Sequence, residues 1–254
     1  MSRTRTRPEQ PPAAPGTPSW WTARRPRPAV RTRGRPPRSL ERIVATASEL
    51  IDDRGVGEFS MRALAERLDT STATLYRHVA GREELMLYVV DRLLGEVRAN
   101  ATDEPGPEGW QEAARRRLLR LHRALSAHPN LLPLLASYVP IGPNGLAVRE
   151  QTIAQLVGFG FPVELAARVY TTLGHYVIGF LAQQHAPDAP GPEQAEALRS
   201  YYRKLDPGVY PSTVAAAGAL TTVSPRDEFL EGLQFIFDGI DVALARSRPR
   251  RARG

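Results

Sequence analysis

The sequence has no cysteine among its 254 residues, and Lys204 is its only lysine. The lack of cysteine excludes disulfides, thiolate metal sites and cysteine nucleophiles, and it is common in proteins of a reducing cytosol. No apolar run follows the Arg- and Pro-rich amino terminus, so a secretory signal is not predicted. These absences favour a cytoplasmic protein.

The sequence also lacks a clear membrane-spanning segment. Residues 169–187 carry no formal charge and approach the length of a span, but they include six polar Thr, His and Gln side chains. Helices that are apolar nearly all round but dotted with polar groups are more typical of a protein core or an interface. We therefore expect a buried helix here and no membrane partner.

Positive charge is concentrated at the two ends of the sequence. The formal net charge is +7, yet residues 1–38 contain ten arginines against the single acid Glu9, and residues 246–254 contain five arginines and no acid. The region between them is therefore acidic overall. Residues 1–38 also contain nine prolines and little apolar surface apart from two tryptophans. This composition predicts a disordered basic arm over 1–38 and a disordered basic tail over 247–254.

Helical periodicity begins abruptly at Ser39, and no later segment alternates convincingly as a strand would. Apolar residues recur at spacings of three and four, as in Leu40, Ile43, Val44 and Ala47, which is typical of amphipathic helices. The predicted fold class is all-α. Helices are expected over 39–54, 60–68, 72–79, 110–128, 131–138, 145–159, 163–185, 193–204 and 225–246, with a further long helix beginning near Arg82.

Residues 60–81, SMRALAERLDTSTATLYRHVAG, have the pattern of a helix-turn-helix. Each helix has an apolar packing face, formed by Leu64, Ala65 and Leu68 and by Leu75 and Val79. The outer face of the second helix offers short polar groups and one arginine, which suit base edges and phosphates near a helix amino terminus. The pattern predicts a DNA-recognition helix, with an ordinary helical hairpin as the alternative.

Residues 40–86 resemble the DNA-binding domain of the TetR family of bacterial repressors, most specifically in Thr-Leu-Tyr at 74–76, in His78 and in Arg82. The resemblance implies a DNA-binding head over 39–86 and a larger helical ligand-binding and dimerisation domain over 87–246. It implies DNA contacts from Arg62, Ser71, Thr72, Ala73, Thr74, Tyr76, Arg77, His78 and Arg82. The turn departs from the family pattern of Gly followed by an apolar residue, since it reads Asp69-Thr70. Asp tolerates a left-handed backbone better than most residues.

The body resembles the tetracycline-repressor branch of the family over 109–129, 173–181 and 227–244. In that branch the two long carboxyl-terminal helices of each subunit form a four-helix bundle. The resemblance implies a homodimer through helices near 163–185 and 225–246. Apolar residues suited to this interface are Tyr170, Leu173, Tyr176, Phe180, Phe229, Leu233, Ile236 and Ile240, with packing inside one chain as the alternative.

The branch binds a magnesium–tetracycline complex, but this sequence differs at several of the contacts. Arg98, Arg117 and Leu121 stand where the branch has a His, an Asn and a Phe, and Leu135 and Gln183 replace a metal-ligating His and a metal-shell Glu. Mg²⁺ needs oxygen or imidazole ligands, so no metal and no other cofactor is predicted. Candidate contacts for a small hydrophobic or aromatic inducer are Arg117, Leu118, Leu121, His122, Leu135, Tyr138, Tyr170, His175 and Tyr176.

The residues and the resemblance together favour a cytoplasmic, nucleoid-associated bacterial repressor that a small-molecule inducer of unknown identity releases from a palindromic double-stranded DNA operator. One alternative is a dimeric DNA-binding protein without small-molecule input. An all-helical enzyme is a third hypothesis, but the sequence has no Glu-x-x-His pair, nucleophile elbow or Gly-rich phosphate loop. An enzyme is therefore not predicted.

The predicted head has an unusual charge for a DNA-binding domain, since residues 39–86 contain six arginines against nine acids. We therefore expect phosphate or minor-groove contacts from the adjoining arm, especially from Arg31, Arg33, Arg35 and Arg38. The alternative is a solvated tail without a role in binding.

Overall fold

The computed structural model describes residues 13–24, 40–99, 108–186, 192–222 and 224–247. Within these ranges the chain forms helices and connecting loops and no strand, which confirms the all-α prediction. The predicted tail over 247–254 lies outside the described residues, apart from Ser247 at the end of the last helix.

The helices are α1 (Pro18–Ala23), α2 (Leu40–Arg54), α3 (Met61–Arg67), α4 (Thr72–Tyr76), α5 (Arg82–Ala99), α6 (Trp110–Ser126), a 3₁₀ turn (Pro129–Leu131), α7 (Leu132–Ser137), α8 (Pro143–Gly158), α9 (Val163–Gln184), α10 (Pro192–Arg203), α11 (Pro211–Ala216), α12 (Ala219–Thr222) and α13 (Pro225–Ser247). Most of these helices begin and end close to the residues that the sequence periodicity predicts. The short helices α11 and α12 lie in a region for which the sequence predicts no element, and α4 ends earlier than predicted.

The chain divides into two compact units. The first contains the described residues up to 99 together with 119–152, and the second contains 108–118 and 153–247. This division differs from the predicted boundary at 86, because α5, α7 and much of α8 belong with the head. The helices α6 and α8 contribute residues to both units.

In the first unit α2 is the central helix, and it packs against α3, α5 and the 3₁₀ turn. Its apolar stripe includes Ile43, Ala47, Leu50 and Ile51, which are all buried. Burial of such side chains stabilises the fold by about 1.5–3 kcal/mol for each large residue. The stripe therefore orients the helices that carry the predicted DNA-binding motif.

The first unit also contains α1, which corrects the prediction that residues 1–38 are disordered throughout. Trp20 and Trp21 are buried against Leu87, and the ring of Tyr88 lies 5.7 Å from each indole ring. Two indoles bury enough apolar area to offset the ordering of a six-residue helix. The prediction is wrong for residues 13–24, while residues 1–12 and 25–38 lie outside the described residues.

A half-buried carboxylate, that of Asp91, caps the start of α8. The carboxylate of Asp91 accepts hydrogen bonds from the backbone N–H groups of Asn144 and Gly145, each at 3.0 Å. Burial raises the pKa of Asp91, although these hydrogen bonds act in the opposite direction. By satisfying the first backbone donors of α8, Asp91 starts this helix two residues before the predicted start at 145.

The second unit is organised by the packing of α9 against α13. The hydroxyl of Tyr176 on α9 donates to the carbonyl of Phe229 on α13 at 2.9 Å, and the two rings are stacked. At the other end of α13, the indole N–H of Trp110 donates to Asp241 at 2.8 Å. These polar contacts fix the register of helices whose apolar stripes alone would allow sliding.

Among the described residues, no helix is both long enough and apolar enough to cross a membrane, and this includes the uncharged part of α9.

Candidate nucleic-acid interface

The helix-turn-helix is formed by α3 and α4, which pack against each other. Ser60 caps α3 by accepting a hydrogen bond from the backbone N–H of Ala63 at 3.1 Å. The predicted packing residues are confirmed as buried: Leu64, Ala65, Leu68, Leu75 and Val79. Because these side chains point inward, the opposite face of α4 is left for solvent or a partner.

The turn between α3 and α4 depends on a left-handed residue at Asp69. Its φ is 49°, the only positive φ at a non-glycine residue among those described. The N–H of Asp69 bonds the carbonyl of Glu66 at 3.1 Å, and the N–H of Thr70 bonds the carbonyl of Ala65 at 2.9 Å. This pair of bonds is a Schellman motif, so Asp69 provides the backbone conformation that Gly provides in the family pattern.

The amino terminus of α4 is organised by its own side chains. Ser71 caps the helix by accepting from the N–H of Thr74 at 3.3 Å, and the two hydroxyls are 3.0 Å apart. The guanidinium of Arg77 donates to the hydroxyl of Thr74 at 3.1 Å. The three polar side chains therefore lie together on one exposed surface beside the first backbone amides of the helix, which attract phosphate.

The structure brings most of the predicted DNA-binding residues to this surface. Tyr76 is 53% exposed although it is a large aromatic residue. Ser71, Ala73 and Arg77 are also exposed, and Thr72, Thr74 and His78 are half-buried. An aromatic side chain exposed beside small polar groups suits contact with a nucleic acid backbone or base better than packing within the chain.

Two predicted contacts are engaged within the chain. Arg62 on α3 pairs with Glu66 at 3.0 Å, and both side chains are largely exposed. Arg82 donates to the carbonyl of Val56 at 2.7 Å. An exposed pair of this kind contributes little stability, so Arg62 is able to exchange its partner for a phosphate at little cost.

Glu84 is a functional candidate that the sequence analysis missed. Its side chain is buried, with 3% of the residue exposed, and it accepts hydrogen bonds from the N–H of Ala80 at 2.7 Å and from Arg24 at 3.0 Å. The hydroxyl of Tyr88 donates to it at 3.2 Å. Burial and the neighbouring carboxylate raise the pKa of Tyr88 to about 12. The only signal in the sequence is that Glu84 is the third residue of α5, since acids are favoured in the first turn of a helix.

A second cluster that the sequence analysis did not find connects α2 with the residues just after α6. His128 lies between two acids, with its Nδ1 2.6 Å from Asp52 of α2 and its Nε2 3.3 Å from Glu96 of α5. Asn130 donates to the backbone carbonyl of Asp52 at 2.8 Å. Asp52 lies more than seventy positions from His128 and Asn130 in the sequence, a relation that periodicity does not show.

The chain matches two family profiles over most of its length. Residues 43–89 match the profile described as bacterial regulatory proteins, tetR family, and residues 102–244 match the tetracyclin repressor-like C-terminal domain. The chain belongs to the TetR family. The first match contains α3 and α4, and it therefore includes the exposed surface of α4.

Curated relatives and solved structures agree with this assignment. The HTH-type transcriptional repressor DrrR1 of Streptomyces coeruleorubidus is 32% identical over 92% of this chain and 87% of its own length. The TetR family protein ActR of Streptomyces coelicolor, solved with actinorhodin, is 34% identical with a TM-score of 0.75, over 82% of this chain and 99% of ActR. Its apo structure gives 32% identity and a TM-score of 0.77, over 85% and 100%. The chain is thus a DNA-binding transcriptional regulator and not an enzyme.

The predicted ligand contacts are divided between the two units. In the first unit Leu135 is buried, Leu121 and His122 are half-buried, and Tyr138 packs against the tryptophans of α1. In the second unit Leu118 is buried, Arg117 and Tyr170 are half-buried, and His175 is exposed. Tyr176 is engaged by its hydrogen bond to Phe229. Among the described residues, no group of three or more His, Asp or Glu side chains is placed to hold a metal ion.

The residues expected to suit a dimer interface are largely used inside the chain. Leu173, Phe229, Leu233 and Ile240 are buried within the second unit. Tyr170, Tyr176, Phe180 and Ile236 are half-buried. Tyr176 and Phe180 of α9 pack against Phe229 of α13, so these residues make contacts within the chain, and their role in a dimer stays a prediction. The exposed apolar residues of α13 are instead Phe235, at 74% exposure, and Val242.

Replacing Asp69 with Val is expected to lower the free energy of unfolding by about 1–2 kcal/mol, because a β-branched residue is disfavoured in the left-handed region. Asp69→Gly is the matched control, since Gly adopts this conformation freely. Urea denaturation followed by circular dichroism measures the difference. Equal stability of the two variants would show that the turn does not require a left-handed residue.

Proposed function

We propose that the protein is a ligand-responsive repressor that binds a palindromic operator as a homodimer. The observation that carries this proposal is the exposed surface formed by Ser71, Thr74, Tyr76 and Arg77 at the start of α4. In a dimer two such surfaces enter successive major grooves, about 34–36 Å apart. Predicted contacts from Arg62, Thr72, Ala73, His78 and Arg82 complete the interface.

The dimer is proposed to form through α9 and α13. Phe235 and Val242 lie seven residues apart on α13, so they share one face of this helix, and both are exposed. Exposed Thr171, Thr172 and His175 occupy the outer face of α9. A helix face with a largely exposed Phe suits burial against a second copy.

The inducer is proposed to be a small hydrophobic or aromatic molecule. Two relatives support this class and mode of action: DrrR1 is named a repressor, and ActR was solved with actinorhodin. A magnesium–tetracycline complex is not proposed, because Leu135 stands where the tetracycline-repressor branch has a metal-ligating His and has no atom that ligates Mg²⁺. The proposed contacts are those of the sequence analysis, from Arg117 to Tyr176.

Release is proposed to act through α5, which begins at Arg82 directly after the recognition segment. A ligand that shifts α5 changes the separation of the two α4 helices. A coupling free energy of about 1–3 kcal/mol is enough to weaken operator binding by a factor of several to about a hundred.

Arg77→Ala is expected to weaken operator binding by about 1–3 kcal/mol, because the variant has no guanidinium to form two hydrogen bonds with a guanine. The operator is first selected from a random duplex library with the full chain, and affinity is then measured by fluorescence anisotropy. Arg203→Ala, which removes an exposed arginine of α10, is the control. Unchanged affinity and base preference for Arg77→Ala would contradict the proposed role of this residue.

Actinorhodin is expected to raise the Tm of the protein and to release the selected operator, since a ligand at a hundred times its Kd adds about 2.7 kcal/mol of stability. Leu121→Trp, which enlarges the side chain of one proposed ligand contact, should abolish both effects. Leu205→Trp changes another half-buried leucine and is the control. If neither actinorhodin nor any compound in a panel of hydrophobic antibiotics and metabolites changes Tm or operator affinity, the alternative without small-molecule input is favoured.

Replacing Arg31, Arg33, Arg35 and Arg38 with Gln is expected to weaken operator binding. The salt dependence should also fall, by about one unit of slope for each phosphate that the variant no longer neutralises. Substitution is preferable to deletion of 1–38, which would also remove the buried tryptophans of α1. The same change at Arg248, Arg250, Arg251 and Arg253 is the matched control. An identical salt slope for the wild type and the arm variant would leave the arm without a role.

A further inference from the structure

The first unit contains a cavity whose lining includes none of the proposed inducer contacts. Its volume is about 530 Å³, within the range of small-molecule sites. The apolar lining comes from Trp21 of α1, from Ile141 just before α8, and from Pro143 and Leu146 at the start of α8. A cavity of this size and lining suits a molecule with an aromatic or aliphatic body.

The Arg24 guanidinium supplies hydrogen-bond donors to the cavity. It is part of the lining, its Nε donates to Glu84 at 3.0 Å, and its terminal nitrogens carry further N–H donors. A guanidinium does not accept hydrogen bonds, so the cavity favours a ligand group that accepts them.

The donors of the cavity are connected to the DNA-binding segment. Arg24 pairs with Glu84 at 3.0 Å, and the same carboxylate accepts from the backbone N–H of Ala80 at 2.7 Å. Ala80 lies four residues after α4 ends. An acceptor that draws the guanidinium toward the cavity therefore competes with the carboxylate that holds the backbone between α4 and α5.

We propose that the cavity between α1 and α8 is a second small-molecule site, for an apolar molecule that carries an anionic oxygen group, and that its occupancy changes operator affinity through Arg24 and Glu84. The apolar body lies against Trp21, Ile141 and Leu146, and the anionic group accepts from the Arg24 guanidinium. The effect on operator affinity rests on the proposed function, whereas ligand binding does not.

The probe for this site is 8-anilinonaphthalene-1-sulfonate, which combines an aromatic body with an anionic group. Its fluorescence is titrated with the full chain. Arg24→Gln is expected to weaken binding about tenfold, because the variant cannot form the charge-assisted hydrogen bond. Leu146→Trp, which fills the cavity, is expected to remove the same binding component.

Matched controls separate this site from other apolar surfaces. Arg203→Gln removes an exposed arginine of α10, and Leu220→Trp enlarges an exposed leucine of α12; both should bind the probe as the wild type does. The uncharged analogue N-phenyl-1-naphthylamine should bind more weakly and should not respond to Arg24→Gln. Circular dichroism checks that each variant is folded. In Arg24→Gln the amide N–H can still donate to Glu84, and tryptophan emission at the wild-type wavelength checks that α1 stays docked.

Wild-type affinity of Arg24→Gln for the probe overturns the site. For the coupling, the probe should change the affinity of the wild type for its operator at least severalfold and that of Arg24→Gln much less; an equal change overturns it. If the protein binds no operator at all, the proposed function fails, while the fluorescence titration still decides whether the site exists.

Discussion

The hydrogen bonds that the Glu84 carboxylate accepts determine how the backbone between α4 and α5 is held. The carboxylate is buried, and its partners are Arg24, the backbone of Ala80 and the hydroxyl of Tyr88. A buried carboxylate is tolerated only when such partners replace water. Loss of Arg24 would leave a charge with too few donors, so the position of α1 and the path of the chain between α4 and α5 are determined together. Glu84 therefore links the residue that follows α1 to the backbone just after α4.

The sequence was sufficient to predict the parts of the fold that depend on local rules. Spacings of three and four located the long helices, and the buried Leu64, Leu68 and Leu75 were identified from the same pattern. The left-handed turn at Asp69 also follows from residue chemistry. The docking of α1 did not, because a Pro- and Arg-rich composition indicates disorder when two adjacent tryptophans have no visible partner. Leu87 and Tyr88, against which they pack, lie more than sixty residues away.

The candidate contacts of the body show a second limit of sequence patterns. A stripe of apolar residues establishes that a helix face is covered, but it does not establish by what. On α13, Phe229 and Leu233 are buried by other parts of the same chain, whereas Phe235 lies on the opposite side of the helix and is exposed. Tyr176 illustrates the same point, since a hydroxyl that bonds the Phe229 carbonyl is satisfied within the core. Deciding between a core, an interface and a ligand contact required the position of each side chain.

The placement of the tryptophans also makes the protein its own optical reporter. The chain has three tryptophans, and two of them form α1, with ring centroids 4.8 Å apart. The third, Trp110, is hydrogen-bonded to Asp241 in the second unit. Two of the three tryptophan fluorophores therefore lie in one short helix, and a change in their emission would report on whether that helix stays docked beside Glu84.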